Sequence, residues 1–286
     1  MDVAAAAAGK NLWGWFVATL ALLLALCYGE MIAHTGQVLF ENGDAARAIF
    51  PPVLAAYAIW ERRRDWLLHE VAPDASGIVV LVLGAAIALA GSAGGSLTLV
   101  RLAFLVSLCG CILVAGGRRA LRFLAFPLAL LLFTLPVPSP VYYRLTSPLQ
   151  AIASRGAEVA FRLLGFHAVQ SGNAIYLPSQ ILVISEACSG VQSLLTLTFF
   201  CAVYAYWNER RVWVRIAIVL AALPASILMN ILRITVTGLF GEFQREYTQG
   251  AWHEGLGYLT LALAFCLIWG AHLFMLRHQS RKTVDA

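Results

Sequence analysis

Charge is what this chain lacks most: only 12% of its 286 residues are Asp, Glu, Lys or Arg, against about 25% in a soluble domain. That scarcity excludes a water-soluble globule. Also missing is any cysteine framework. The six cysteines, at 27, 109, 111, 188, 201 and 266, are scattered, and five sit in apolar runs where a thiol behaves as a small hydrophobe. Neither a disulfide scaffold nor zinc-ligand spacing is visible, and no cofactor or metal is expected. No stretch is polar and long enough to build a separate soluble core. No repeat or low-complexity tract occurs beyond the Ala4–Ala8 tail. Behind Lys10, the apolar run Leu12–Cys27 lacks the small-residue cleavage site of a signal peptide, and Leu26 is too large for a lipoprotein box, so a retained first span is expected.

What is present is apolar: 60% of the residues are hydrophobic. A spanning helix needs about 20 such residues, and eight segments come near that requirement. Their cores are Leu12–Ile32, Ala45–Trp60, Gly77–Ala93, Thr98–Ala115, Leu121–Leu135, Val191–Trp207, Val212–Leu239 and Gly255–Leu276. The expectation is an all-α polytopic membrane protein of about eight transmembrane helices, one integral-membrane domain over residues 1–286. The net charge of +5 sits in short clusters between apolar runs, a membrane pattern and not a nucleic-acid stripe. With the N-terminus inside, thirteen of the twenty Lys and Arg residues fall in the inner segments, among them Arg62–Arg64, Arg118, Arg119, Arg122, Arg210, Arg211 and Arg215. The positive-inside rule then puts both termini in the cytoplasm.

One outer segment stands apart, from about Ser139 to Ser189. Leu149, Ile152, Ala153, Val159, Ala160 and Leu163 recur at helical spacing, with Arg155, Glu158 and Arg162 on another face as i,i+3 and i,i+4 ion pairs. This predicts an amphipathic helix at the outer surface or docked on the bundle. Ile175–Leu177 and Ile181–Ile184 flank Pro178-Ser179-Gln180 and predict a short β-hairpin. That hairpin leads into Ser185-Glu186-Ala187-Cys188-Ser189-Gly190, at the head of the sixth span.

Three reactive residue types converge at one depth. Nineteen residues separate Cys188 from Trp207 and eighteen separate Arg215 from Arg233, about 28 and 27 Å of helix. Cys188, Arg233 and His253 are therefore all expected at the outer interface, on three helices. Ser185 as an N-cap would leave Cys188 in a first helical turn, where the dipole favours a thiolate. His253 can then act as general base and acid, while Arg233 either lowers the thiol pKa or stabilises an oxyanion. Taken singly, each has a plainer reading: cysteines pack, helix-end arginines snorkel and loop histidines are solvated. Asn230, three residues before Arg233, turns a second costly polar group the same way in a membrane helix. Pro224 below them suits a kink, and Ser189-Gly190 would let backbone approach a substrate; both also serve ordinary helix packing. Cys109-Gly110-Cys111 falls within a span and reads as packing, His34 and His272 as lone interfacial histidines, and Glu186 and Glu254 as helix-start carboxylates or orienters of His253.

Ser185–Gly190, Asn230-Ile231-Leu232-Arg233-Ile234 and His253, in that order, resemble the exosortase/archaeosortase family of membrane cysteine transpeptidases. The resemblance runs from the prolines at 136–140 to Gly257. It implies a Cys188 nucleophile with catalytic Arg233 and His253, within a catalytic core over 136–276 preceded by a helical scaffold over 1–135. It further implies partners that are exported proteins ending in a sorting signal: a short Pro-Glu-Pro-like motif, a transmembrane helix and a basic tail. Such an enzyme works at the outer face of the cytoplasmic membrane through a thioester, and transfers its substrate to a surface acceptor. Val191-Gln192 stands where many relatives carry a basic residue, a departure at the substrate-facing rim. Two rival classes share some of these features. A transporter would spread polar groups through several spans at mid-depth, whereas a non-catalytic assembly factor for surface polysaccharide would keep the fold and not the thiol chemistry.

Overall fold

Breaks in the apolar pattern fix where the helices end. The computed structural model describes residues 18–33, 45–64, 72–184, 190–243 and 250–284. The expected start of the first span at Leu12, His34, and residues 65–70 of the expected inner segment Arg62–Glu70 lie outside them. The chain falls into two compact units, Met1–Val137 and Pro138–Ala286.

The first unit is helical. It contains α1 (Ala18–Ala33), α2 (Ala45–Glu61), α3 (Ser76–Ala93), α4 (Leu97–Phe123), and α5 (Ala125–Leu131) continued by a 3₁₀ turn, Leu132–Thr134. Helices α3 and α4 pack as a hairpin on glycines that recur every seventh residue. Gly77, Gly84 and Gly91 are all buried, and a β-carbon on Gly77 would sit 2.7 Å from the Gly110 carbonyl. Without side chains the two backbones approach closely, the usual route to helix association in lipid. Gly117 (φ +72) kinks α4, and only glycine fits there because a β-carbon would overlap the Ala72 carbonyl. The polar loop facing this kink is closed by Arg118 Nε donating to Asp74 Oδ2 at 2.7 Å. Asp74 also accepts from the Ser76 backbone N–H, and that bond, ahead of Arg118, holds its carboxyl below the usual range.

Pro136, Pro138 and Pro140 set the boundary between the units. Leu135, which precedes a proline, is extended (ψ 127°). Pro138 caps α6 (Ser139–Leu163) and Pro140 lies in its first turn, where a missing N–H costs nothing.

The second unit continues with β1 (Val169–Ser171), β2 (Ala174–Tyr176), β3 (Ile181–Val183), α7 (Val191–Asn208), α8 (Val212–Phe243) and α9 (Gly250–Val284). Two of these features depart from expectation. The hairpin is a three-stranded antiparallel sheet, ordered β1-β2-β3. The extra strand is joined by the two-residue turn Gly172-Asn173, with Gly172 at φ +62. The second departure is the buried face of α6, which is made by Ala153, Ser154, Ala157 and Phe161, not by Ile152, Val159 and Leu163 of the expected stripe. Ile152 and Val159 are about half exposed and Leu163 more so. Small residues face inward because α6 closes tightly on α8: a β-carbon on Gly156 would lie 2.4 Å from Ile231 Cδ1. The expected Glu158–Arg162 ion pair is present at 2.7 Å.

Helix α8 is the spine of this unit. Its lower half packs with α7 and α9 around Leu197, Cys201, Ile218, Ala222 and Ala264. Its upper half packs with α6 and the sheet around Phe161, Ile175, Ile184 and Ile234. Among the described residues four helices are long and apolar enough to cross a membrane: Ser76–Ala93, Leu97–Phe123, Val212–Glu242 and Glu254–His278. A fifth is added if Ala125–Thr134 and Ser139–Leu163 count as one broken span. Each of the eight expected cores overlaps a helix. Those centred in α1 and α2 are short, and α7 is diluted by Gln192, Ser193, Thr196 and Thr198. The chain is thus a mostly helical, multi-pass membrane protein with a small sheet; by this criterion its described residues hold four or five spans, and the expected eight are not confirmed.

Candidate active site

The two halves of α8 meet at Asn230 and Arg233, which are only 4% and 8% exposed. Burying a guanidinium between apolar helices is expensive unless polar groups receive it, so its surroundings decide what it can do. Arg233 was expected at the end of its helix. Instead α8 continues ten residues further, to Phe243, because those last turns serve the sheet and α6. There Gln180 Nε2 donates to the Gly238 carbonyl at 2.8 Å and Ser179 Oγ to Glu242 Oε2 at 2.6 Å. Gly238 leaves room for the Phe161 ring.

Two glycines deliver neighbouring backbone to this pair. Gly190 caps α7 in the left-handed region (φ +82), and a β-carbon on it would lie 3.0 Å from Asn230 Nδ2. Gly257 of α9 lies beside the Arg233 guanidinium, where a β-carbon would come within 3.3 Å of Cζ. A cavity lined by Ser193, Ser226, Asn230, Arg233 and Thr260, among others, lies between α7, α8 and α9 and leaves about 10 Å³ for the centre of a water-sized sphere.

Of the three expected catalytic residues, Arg233 is the one whose side chain is described. Cys188 lies outside the described residues, as do Ser185, Glu186 and Ser189. His253 lies in the first turns of α9, and its side chain is outside the description. The chain on either side of residues 185–189 is well anchored. Ile184 is buried; its N–H donates to the Asn173 carbonyl at 2.9 Å and its own carbonyl accepts from Gln150. At the other end stands Gly190. Helix α7 begins at Val191 from a glycine cap, Gly190; the expected cap at Ser185 and the first-turn position of Cys188 fall on residues outside the description. A glycine takes the cap because the chain enters the helix through a left-handed residue pressed on Asn230. Glu254 is exposed.

One polar cluster escaped the sequence reading. His272 is 4% exposed and bridges Tyr204, whose hydroxyl lies 2.8 Å from its Nδ1, and Glu209, 3.4 Å from its Nε2. Glu209 also accepts from the backbone N–H groups of Arg210 and Arg211. The Arg211 N–H contributes most to holding its carboxyl below the ordinary value of 4.5, with His272 adding to it and burial opposing. Cys111 and Cys201 are buried, Cys27 and Cys266 exposed. Among the described residues no three His, Cys, Asp or Glu side chains are grouped to hold a metal.

A family model described as transmembrane exosortase matches residues 40–270 of the chain. No curated protein and no solved structure matches it.

Proposed function

The chain belongs to the transmembrane exosortase family, and from that premise we propose that it is a membrane cysteine transpeptidase cleaving C-terminal sorting signals of exported proteins. The Cys188 thiolate attacks the scissile carbonyl and forms a tetrahedral oxyanion. Collapse of that adduct expels the amine of the downstream segment and leaves a thioester on Cys188. A surface acceptor then attacks the thioester and releases the enzyme. His253 takes the thiol proton and returns it to the leaving amine. Arg233 holds the thiolate charge at rest and donates to the oxyanion in the transition state, for which its planar fork is suited.

The observation that carries this reading is the buried Asn230–Arg233 pair flanked by Gly190 and Gly257. Gly190 is two residues from Cys188, and Gly257 is one helical turn from His253, about 6 Å along the axis. Three separate stretches of chain, each holding one expected catalytic residue, thus have a described neighbour at a single buried polar point. A transporter reading has less support, since this polar pair sits with one family-specific motif and not along a path through several spans. The basic inner loops favour cytoplasmic termini and an outward-facing site on the cytoplasmic membrane.

Complementation tests the proposal. Cys188→Ala should abolish processing of a co-expressed exported protein bearing a sorting signal, with the variant retained in the membrane, while Ala at Cys27, Cys109, Cys111, Cys201 and Cys266 should leave processing intact. Processing by Cys188→Ala would transfer the protein to the non-catalytic assembly class.

A further inference from the structure

The cavity beside Arg233 is too small for any part of a peptide substrate. At about 10 Å³ open to a sphere's centre it takes one water molecule. Its chemistry is one-sided. The Ser226 hydroxyl donates its proton to the Leu223 carbonyl at 2.9 Å, and that of Thr260 is shared between the carbonyls of Leu256 and Gly257 at 2.9 and 3.0 Å. With their protons committed, both hydroxyls have only lone pairs left to offer the cavity. Arg233 is the opposite, a group with donors and no acceptor. A water accepting from the guanidinium and donating to both hydroxyls would have three partners, the usual number for a buried water.

Helix geometry supports the arrangement. Side chains lean toward the N-terminus of their helix, so Arg233 leans toward the turn of Asn230 and Met229, which line the same cavity. Gly257 bounds the guanidinium at Cζ, and Thr260 follows three residues later on the same helix. One segment of α9 thus supplies a surface against the guanidinium and an acceptor below it.

We propose that Thr260 and Ser226 are positioning residues for Arg233, holding its guanidinium through one water in the cavity that the three residues line. The proposal rests on Arg233 acting beside the Cys188 thiolate. Thr260→Val keeps the shape and removes the hydroxyl, Thr260→Ser keeps the hydroxyl, and Ser226→Ala removes the second acceptor with little change in volume.

The test uses the full-length chain in detergent with the other five cysteines replaced by Ala, and follows the pH dependence of Cys188 alkylation by iodoacetamide. Arg233→Ala should raise the midpoint by about 1–3 pH units, the usual effect of losing a neighbouring opposite charge. Thr260→Val and Ser226→Ala should each move it part of that way, while Thr260→Ser should match the parent. If Arg233→Ala shifts the midpoint and neither hydroxyl deletion does, the water-mediated seat is wrong and the role of Arg233 stands. Equal shifts from Thr260→Ser and Thr260→Val would show a packing effect and also refute it. No shift from Arg233→Ala overturns the thiolate role and the seat together. Should Thr260→Val fail to fold, Ser226→Ala decides alone.

Discussion

Gly190→Ala isolates the backbone feature that joins the Cys188 segment to α7. Two costs arise at once. A β-carbon in the left-handed region costs about 1–2 kcal/mol, and at φ +82 the residue has no relaxed alternative while it caps the helix. The new methyl also meets Asn230 Nδ2 at 3.0 Å, so the amide must give by a few tenths of an ångström. The strain corresponds to about a 5- to 30-fold loss of correctly seated chain, and processing should fall by that order while membrane levels hold. Stability is read by SDS titration in mixed micelles followed by circular dichroism. In an Asn230→Ala background the steric part disappears and only the φ part remains, so a double-mutant cycle should give a coupling of at least about 0.5 kcal/mol. Parental stability and processing in Gly190→Ala, or a strictly additive cycle, would refute this account of the cap.

Arg233→Lys keeps the charge but loses the fork, and should lower kcat by roughly 10²–10³, as for loss of an oxyanion donor; a rise in KM alone would make Arg233 a ground-state clamp instead. His253→Ala should be at least as damaging, and non-additive with Cys188→Ala, because the residues act as one unit. Glu209, whose carboxyl is held below its ordinary 4.5, stabilises the fold at neutral pH and loses that contribution as pH falls from about 4.5 through its folded value. Glu209→Gln should therefore lower stability at pH 7 and converge on the parent in acid; a constant difference across pH would dismiss the charge. For topology, cysteines placed at Gln170–Gln180 should react with an impermeant thiol reagent from outside, and those at Arg62–Glu70 only after the membrane is opened. The reverse labelling would put the site in the cytosol.

Helix boundaries were the most legible part of the fold, because proline and charge act locally. Pro136, Pro138 and Pro140 end one element and begin the next, whatever packs around them. The faces of helices were harder to read. For α6 the large apolar residues suggested the buried side, but a membrane protein has apolar side chains outside as well, and its close contacts select small residues such as Ala153, Gly156 and Ala157. The same physics hid the α3–α4 hairpin in three glycines seven residues apart. Strand β1 went unseen because Gln170 and Ser171 carry no strand signal by themselves, although Gly172-Asn173 marks its turn. At the candidate site, the Asn230–Arg233 pairing followed from spacing alone. The depth of Arg233 within α8 did not, since that depends on how far the helix runs on to meet the sheet. His272 looked solitary because its partners come from α7 and the following turn, more than sixty positions earlier.

The central claim, a thioester on Cys188, is open to direct capture. Purified protein in detergent is mixed with an exported protein ending in a short motif, an apolar span and a basic tail, acid-quenched, digested and analysed by mass spectrometry. The account predicts substrate joined to the Cys188 peptide, released by hydroxylamine and absent from Cys188→Ala. Cleavage with no adduct on Cys188, or with the adduct on another residue, would contradict it.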